Sequence, residues 1–514
     1  MPNTILTTPN LLGKVLDSKD VWEAEVEKTL ERIKSEETAQ KPKLSKEILK
    51  GKFVHPLDGD IVAKIQELKG FLDDGLELYT KIEKVRELWV LLIKKSIKAL
   101  RFFDEREPYQ FVENKVPLAY GIDSLRSYFD KYADFEGLLY GSNKSYRDHV
   151  IHVFNTWLLG IIILLNETGE ARELFLQKVK IEGAKDLKLD FFEVISMWTI
   201  VAMCHDLGYP LEKAQKIFQK TSSMLEYFIS NPKMSIDLNF SGVQDYINNH
   251  IVKFLSSKMI DSKDSRPVGA EKTFTGRVQP KYYIKLSKSL ESYHHGIIGA
   301  IILYKTLIYF LETEFNVNED YYYDSSESKQ YYIRREILRA IASHTCVDIY
   351  HLNTTTLSFL LITCDDMQEW GRKRWIDFYK GANDKESIVT KLVKFTNEEV
   401  SIRETIKTID ENNILTSLKI IYEQFERYKQ IFREGQDTNL RNFNFTKIFE
   451  LEKNGGRIHR IDNVSFGIPS DGNASLEINF TAAPEASFST ELKKVFDIIT
   501  NGCKMTIKDM KRRT

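Results

Sequence analysis

The sequence predicts a mainly α-helical protein: a helical core with an N-terminal helical extension and a small C-terminal α+β appendage. Three observations carry this expectation. Apolar residues recur three and four apart over residues 60–104 and through much of 140–380. Several of these runs close on helix-stop residues, Gly169 after "LLNETG" and Pro210 after "CHDLGYP" among them. Strict alternation, the period of a strand, shows only near the C-terminus, in "NVSFGIPSDGNASLEINF".

The chain has 514 residues, beyond the size at which one core usually stops growing, so two or three domains are expected. The changes of pattern divide it into an N-terminal helical region (1–110), a helical domain with an irregular insert at about 231–281 (111–385), and a C-terminal helix plus small α+β region (386–514). Hydrophobic residues make up 42% and aromatic residues 12%, enough for filled cores rather than a disordered chain. The formal net charge of -1 offers no broad attraction to nucleic acid or to an anionic membrane. Cys204, Cys346, Cys364 and Cys503 form no CxxC pair, which argues against a zinc ribbon and a thioredoxin-like motif and suits a reducing compartment. "MPNTILTTPNLLGKV" lacks the basic-then-apolar pattern of a secretory signal, and "WLLGIIILL" falls short of the ~20 residues of a spanning helix. A cytoplasmic protein is the expectation.

Taken in order, residues 1–50 hold short amphipathic pieces and a charge-rich stretch. Residues 60–104 read as two antiparallel helices. "YRDHVIHVFNTWLLGIIILLNETG", "LDFFEVISMWTIVAMCHDLGYP" and "PLEKAQKIFQKTSSMLEYFIS" are strongly helical. Residues 231–281, rich in Gly, Pro, Ser and charge, read as a long irregular loop. Helices resume with "ESYHHGIIGAIILYKTLIYFLETEF", "YIRREILRAIASHT" and "TLSFLLITCDDMQEWGRKRWIDFY"; between the first two, "NEDYYYDSSESKQ" reads as polar and exposed. A broken helix is expected from "RETIKTID" through "IIYEQFERYKQIFRE". Then Val464, Phe466 and Ile468 alternate with polar residues, as do Leu476, Ile478 and Phe480, on either side of a Ser-Asp-Gly-Asn turn: a hairpin. "STELKKVFDIITNG" reads as a capped helix with a Gly stop.

Chemistry concentrates in the middle of the chain. Of ten histidines, seven (His149, His152, His205, His294, His295, His344 and His351) share one helical region with Asp206 and Asp365. Most sit on, or at the end of, helices whose other residues are apolar. An unpartnered buried polar group costs a few kcal/mol, so several on different helices are best satisfied by one shared metal centre.

In order, "RDHVIHVF", "CHDLGYP", "HHGIIGAIIL", "AIASH" and "CDDMQEWGR" present a first His, an adjacent His-Asp pair, further His residues and a closing Asp. This order resembles the HD superfamily of metal-dependent phosphohydrolases over roughly residues 140–380, with neither flank taking part. The resemblance implies an HD-type helical core. It implies His149 as the first ligand, with His152 one turn on able to replace or support it. His205 and Asp206 match the defining pair, and Asp206 is able to bridge two metals. His295 and His344 match the additional ligands of the binuclear branches, and Asp365 the closing ligand; His294 and Asp366 are one residue away. Gly-Tyr-Pro here follows His205-Asp206 rather than a later His-His pair, so the HD-GYP branch and its substrate are not implied.

The cofactor so implied is a divalent metal, one or two ions, with Mn, Fe, Mg and Zn all compatible with His and carboxylate ligands. The implied reaction is attack of a metal-activated water on phosphorus in a phosphoester or phosphoanhydride, and by family analogy the small-molecule phosphate substrate is a nucleotide. Asp206, Arg372 and Lys213 are the residues expected to serve catalysis. Arg372 follows Asp365 and Glu369 on one helix face, able to reach phosphate or to pair with Glu369. Arg147, and Arg277 with Lys281 in the irregular insert, are further cations. The flanking helices and the C-terminal α+β region are expected to shape access, mediate homo-oligomerisation or sense a ligand. The alternative is an HD-fold nucleotide-binding sensor or regulatory protein without turnover.

Overall fold

A computed structural model describes residues 4–35, 55–73, 78–103, 121–142, 147–165, 189–230, 243–261, 274–311, 323, 325–349, 356–368, 370, 388–396, 399–408, 418, 421–428, 444–453, 456–457, 461–468, 475–480 and 505–509. They form a mainly α structure with an α+β region at the C-terminus. In chain order, the N-terminal helices are α1 (Thr8–Asp17), α2 (Lys19–Ser35), α3 (Gly59–Asp73), α4 (Leu78–Phe102) and α5 (Ile122–Ser142). The central helices are α6 (Val150–Leu164), α7 (Phe191–Cys204), α8 (Tyr209–Leu225), α9 (Val243–Ser256), α10 (Pro280–Glu291), α11 (His295–Thr306), α12 (Ile308–Leu311), α13 (Ser325–Ser343) and α14 (Leu357–Met367).

Helix α7 is the axis of the helical part. Every one of its residues is buried, as expected of a helix that is apolar on all sides. Asp190 and Glu193 form a reciprocal capping box at its start: Phe192 N donates to Asp190 (2.8 Å) and Asp190 N to Glu193 (2.7 Å). The N-terminal helices grip this same end, where Arg32 (3.0 Å) and Thr29 (2.9 Å) donate to Asp190. Further along, Trp89 of α4 donates its indole N–H to the Met203 carbonyl (2.7 Å). Trp198 donates to the Trp157 carbonyl (3.0 Å), and a Cβ on Gly160 would lie 2.1 Å from the Trp198 ring, so α6 and α7 touch closely. The run Phe191–Ala214 is long and apolar enough to cross a membrane, but its most apolar 18-residue window lies wholly buried inside the protein.

The C-terminal region is a sheet larger than the expected hairpin. Strands β1 (Thr4–Leu6), β4 (Ile388–Phe395), β5 (Glu399–Thr408), β6 (Asn444–Lys453), β8 (Ile461–Ile468), β9 (Ser475–Phe480) and β10 (Met505–Asp509) lie in that spatial order, with β7 (Gly456–Arg457) paired to β6. β5–β6 and β9–β10 are parallel and the other pairs antiparallel. The alternating hairpin is present as β8–β9, with Val464 opposite Ile478 and Phe466 opposite Leu476. One edge strand, β1, comes from the other end of the chain. Helical residues 421–428 cover the apolar face, with Tyr428 stacked on Phe445 at 4.4 Å between ring centroids. A single hydrophobic cluster runs from Leu6 to Ile478, so sheet and helices share one core.

Three local expectations are corrected. "RETIKTID" belongs largely to strand β5, because Val400, Ile402 and Glu404 alternate into the sheet interior. The stretch 231–281 is not wholly irregular: its described part holds α9 and an antiparallel hairpin, β2 (Ser257–Asp261) with β3 (Phe274–Val278). The tyrosine-rich insert is partly core, since Tyr323 is buried and exchanges backbone hydrogen bonds with Phe274, and the following serines begin α13. The expected helix at 489–502 lies outside the described residues.

Candidate metal centre

Four imidazoles and two carboxylates converge where the helix ends meet. His205 stands at the C-cap of α7 and donates Nδ1–H to the Ala202 carbonyl (2.7 Å). His344, directly after α13, repeats the arrangement with the Ile341 carbonyl (2.6 Å). Both rings thus satisfy a carbonyl that a helix end leaves without an intrahelical partner. His295 opens α11 and directs Nδ1 at Glu212 of α8 (2.6 Å). His152, in the first turn of α6, directs Nδ1 at the Gln368 side-chain oxygen. The Gln368 amide is itself oriented by donating to the Trp370 carbonyl (2.7 Å).

With each Nδ1 engaged outward, each Nε2 points inward with its lone pair. The inward targets are carboxylates. His152 Nε2 lies 2.8 Å from Asp365 Oδ1, and His295 Nε2 lies 3.1 Å from Asp206 Oδ1. His205 Nε2 lies 3.5 Å from Asp206 Oδ2 and 3.8 Å from Asp365 Oδ1. His344 Nε2 lies 3.6 Å from Asp206 Oδ1. Two sets, His152-His205-Asp365 and His205-Asp206-His344, have ligand atoms within 4.8 Å of one another, so each can hold a metal ion. The buried His205 Nε2 has no hydrogen-bond partner among the described residues. A lone pair facing two carboxylates is repelled by both unless a cation or a proton lies between. The donor set therefore fits a divalent metal.

The electrostatics agree. Burial alone would raise the Asp206 carboxyl, but His205, His295 and His344 hold it well below the ordinary carboxylate range. Asp365 is held low against burial by His152 and His205. Burial would lower His295, yet Asp206 and Glu212 lift it to about 9. Burial keeps His344 below the ordinary histidine range, with Asp206 opposing. The carboxylates thus demand positive charge, and the C-terminal ends of α7, α13 and α14 add their negative dipole ends to that demand.

Close backbone approach makes the convergence possible. A Cβ on Gly208 would lie 2.2 Å from the His295 carbonyl oxygen. A Cβ on Gly296 would lie 2.6 Å from the Ile341 carbonyl oxygen and 2.9 Å from His344 Nδ1. These two glycines let the turn after Asp206 and the end of α13 close onto the start of α11. Tyr128 pins that turn by donating to the Leu207 carbonyl (2.6 Å).

Of the residues singled out in the sequence, His205, Asp206, His295, His344 and Asp365 lie together. His149 stands beside this group: its ring stacks on Tyr209 at 3.8 Å, its backbone N–H donates to Glu136 (2.6 Å), and His152 occupies the position against Asp365. His294 turns away to Ser289 (3.1 Å). Lys213 pairs with Glu212 and lies 4.6 Å from the Tyr209 ring centroid, behind the His295 support. Asp366 pairs with Arg427. Arg372 lies outside the described residues. Glu212, Gln368 and Arg427 are site residues that sequence reading missed. Gln368 alone carried a signal, as a polar residue three positions after Asp365 on the same helix face. Comparison with protein-family models, with curated proteins and with solved structures finds no match for this chain.

Proposed function

We propose that this chain is a metal-dependent phosphohydrolase of the HD type. The observation that carries the reading is the set of four imidazoles, each tied outward through Nδ1 and turned inward through Nε2 onto Asp206 and Asp365. Metal-ligating histidines are commonly held this way, with the second nitrogen on a carbonyl or carboxylate.

In this reading His152, His205, Asp206 and Asp365 hold one divalent ion, and His295 and His344 complete a second position. Asp206 presents Oδ2 toward His205 and Oδ1 toward His295 and His344, so it would contribute to both positions. When bound, such ions supply a Lewis acid for a phosphoryl oxygen and a water acidified enough to act as nucleophile. Hydrolysis forms a bond from water oxygen to phosphorus and breaks the bond from phosphorus to the leaving oxygen, which takes up a proton. The protein's part is to orient the ligands: Glu212 sets His295, Gln368 sets His152, and Lys213 steadies Glu212. The substrate class is a small phosphate compound, a nucleotide by analogy with the family that the sequence resembles. Helix α14 ends at Met367, so the helical spacing after Asp365 that suggested Arg372 for phosphate contact is not kept.

The test compares the wild-type chain with Asp206→Ala, both purified without chelators. Metal content per chain and turnover of a nucleotide panel with manganese or magnesium are measured. Wild-type protein is expected to hold metal and turn over at least one phosphate compound, and the variant to lose both while keeping its helical circular-dichroism spectrum. Equal metal content in the two proteins would refute the centre. Metal and nucleotide binding without turnover would favour the sensor alternative.

A further inference from the structure

We propose that Arg427, carried by the C-terminal α+β region, is an anion-binding residue beside the metal centre, where its guanidinium receives a phosphate group of the substrate. The inference rests on the phosphohydrolase reading above and adds to it a cation from the opposite side of the site.

Geometry brings Arg427 there. On the helical residues 421–428, Ile421, Phe425 and Tyr428 are buried, and the latter two pack on the sheet against Phe466 at 5.5 and 5.6 Å between ring centroids. Arg427 is off that face and reaches α14. Its Nη1 lies 2.8 Å from Asp366 Oδ1, and its Nη2 lies 4.0 Å from Asp365 Oδ2. The other oxygen of Asp365 faces His152 at 2.8 Å. One carboxylate of the metal centre thus has an imidazole on one side and a guanidinium approaching the other.

Exposure separates the two roles. The Arg427 side chain is 50% exposed, while Asp366 is 11% and Asp365 17% exposed. A guanidinium presents five N–H donors in a planar fork, and half of this one faces solvent, the side from which an anion would approach. Bidentate recognition of phosphate is what that fork suits best. Four carboxylates surround the site (Asp206, Glu212, Asp365 and Asp366), and an anionic substrate approaching them needs a positive group at the entrance.

The mounting is rigid. One turn before Arg427, Gln424 accepts from Lys447 of β6 (3.0 Å), and Lys447, fully buried, pairs with Glu404 of β5 at 2.6 Å. This polar tie fixes the helix on the sheet at a set height above α14. The sheet is then part of the site rather than an appendage to it.

The test is calorimetric titration of the manganese-loaded full chain with inorganic phosphate, for wild type, Arg427→Ala and Arg427→Lys. Metal content and melting temperature are recorded for each. Arg427→Ala is expected to keep its metal and weaken phosphate binding at least tenfold. Arg427→Lys, which keeps the charge and loses the fork, is expected to fall between. If Arg427→Ala does not fold, Arg427→Gln, of similar length, is measured in its place with the same expectation. Phosphate binding equal to wild type in a metal-loaded, folded variant would make Arg427 only a tether and overturn the proposal. Wild-type protein that binds neither manganese nor phosphate would overturn the metal centre itself and this inference with it. Wild-type binding of manganese without phosphate would overturn this inference alone.

Discussion

The Nε2 atoms of His295 and His344 face each other at 3.2 Å, while both rings have their Nδ1 atoms committed elsewhere. Two lone pairs at this distance, both turned toward Asp206, are tolerable only with positive charge between them. Without metal a proton on His295 can supply it, since Asp206 and Glu212 lift that imidazole to about 9 against its burial. Protons and metal then compete for one place. Apparent affinity for manganese is therefore expected to rise with pH up to about pH 9, with proton release on binding below it. Calorimetry in buffers of different ionisation enthalpy measures that release directly. Binding that releases no protons would count against Nε2 ligation by these rings.

Ligand orientation gives a second expectation. Glu212 and Gln368 do not enter the ligand sets, yet each fixes one imidazole through Nδ1. Replacing such supports commonly weakens metal affinity by roughly ten- to a hundredfold. Glu212→Leu and Gln368→Leu should each lie in that range, with helical content unchanged. Glu212→Gln should recover part of the loss, since an amide oxygen still accepts from Nδ1–H. A competition titration against a chelator of known affinity reads all three.

What the sequence made legible follows from local rules, and what it hid depends on tertiary contacts. His205, Asp206, His344 and Asp365 stand at or near the ends of apolar helices, and helix ends can be read from periodicity and stop residues. The choice between His149 and His152 could not be read: the two lie three apart, and Tyr209 from α8 and Glu136 from α5 hold the first aside. Strand β5 carried its period in Val400, Ile402 and Ile406, but Glu404 interrupts it; that glutamate is buried because Lys447 comes from the next strand. Arg427 had no local signal, since its place near Asp365 depends on how the sheet seats against α14.

The glycines make a steric prediction. Gly296→Ala would place a methyl 2.6 Å from the Ile341 carbonyl oxygen, 2.7 Å from Thr345 Oγ1 and 2.9 Å from His344 Nδ1. Neither helix end can yield without separating His295 from His344. A loss of about 1–3 kcal/mol in stability is expected, as for other overpacked sites. Metal occupancy at the His295–His344 position should fall with it. Gly59→Ala, where a Cβ meets nothing within 4 Å, is the control: it should leave metal occupancy unchanged and cost no stability. Chemical denaturation with metal analysis separates the two outcomes.

The last prediction concerns acid stability far from the centre. His55 packs edge-on against Phe192 of α7 (4.9 Å between centroids) and Trp22 of α2 (5.6 Å), and its Nδ1 accepts from Leu57 N–H (2.9 Å). Burial pushes its pKa down to about 4, with Asp58 opposing only in part. Below the unfolded value of 6.5 the unfolded chain takes up a proton that the folded chain refuses, so stability must fall with pH. The contribution is intact above about pH 6.5, declines through the window down to about pH 4, and reaches about 3 kcal/mol in full. His55→Phe removes the titrating group and keeps the aromatic packing, at the cost of the acceptor for Leu57. Its denaturation midpoint should change less than that of the wild type between about pH 6.5 and about pH 4.5. Identical slopes for the two proteins over that window would mean that His55 is protonated in the folded state and that its contact with the α7 face opens to water.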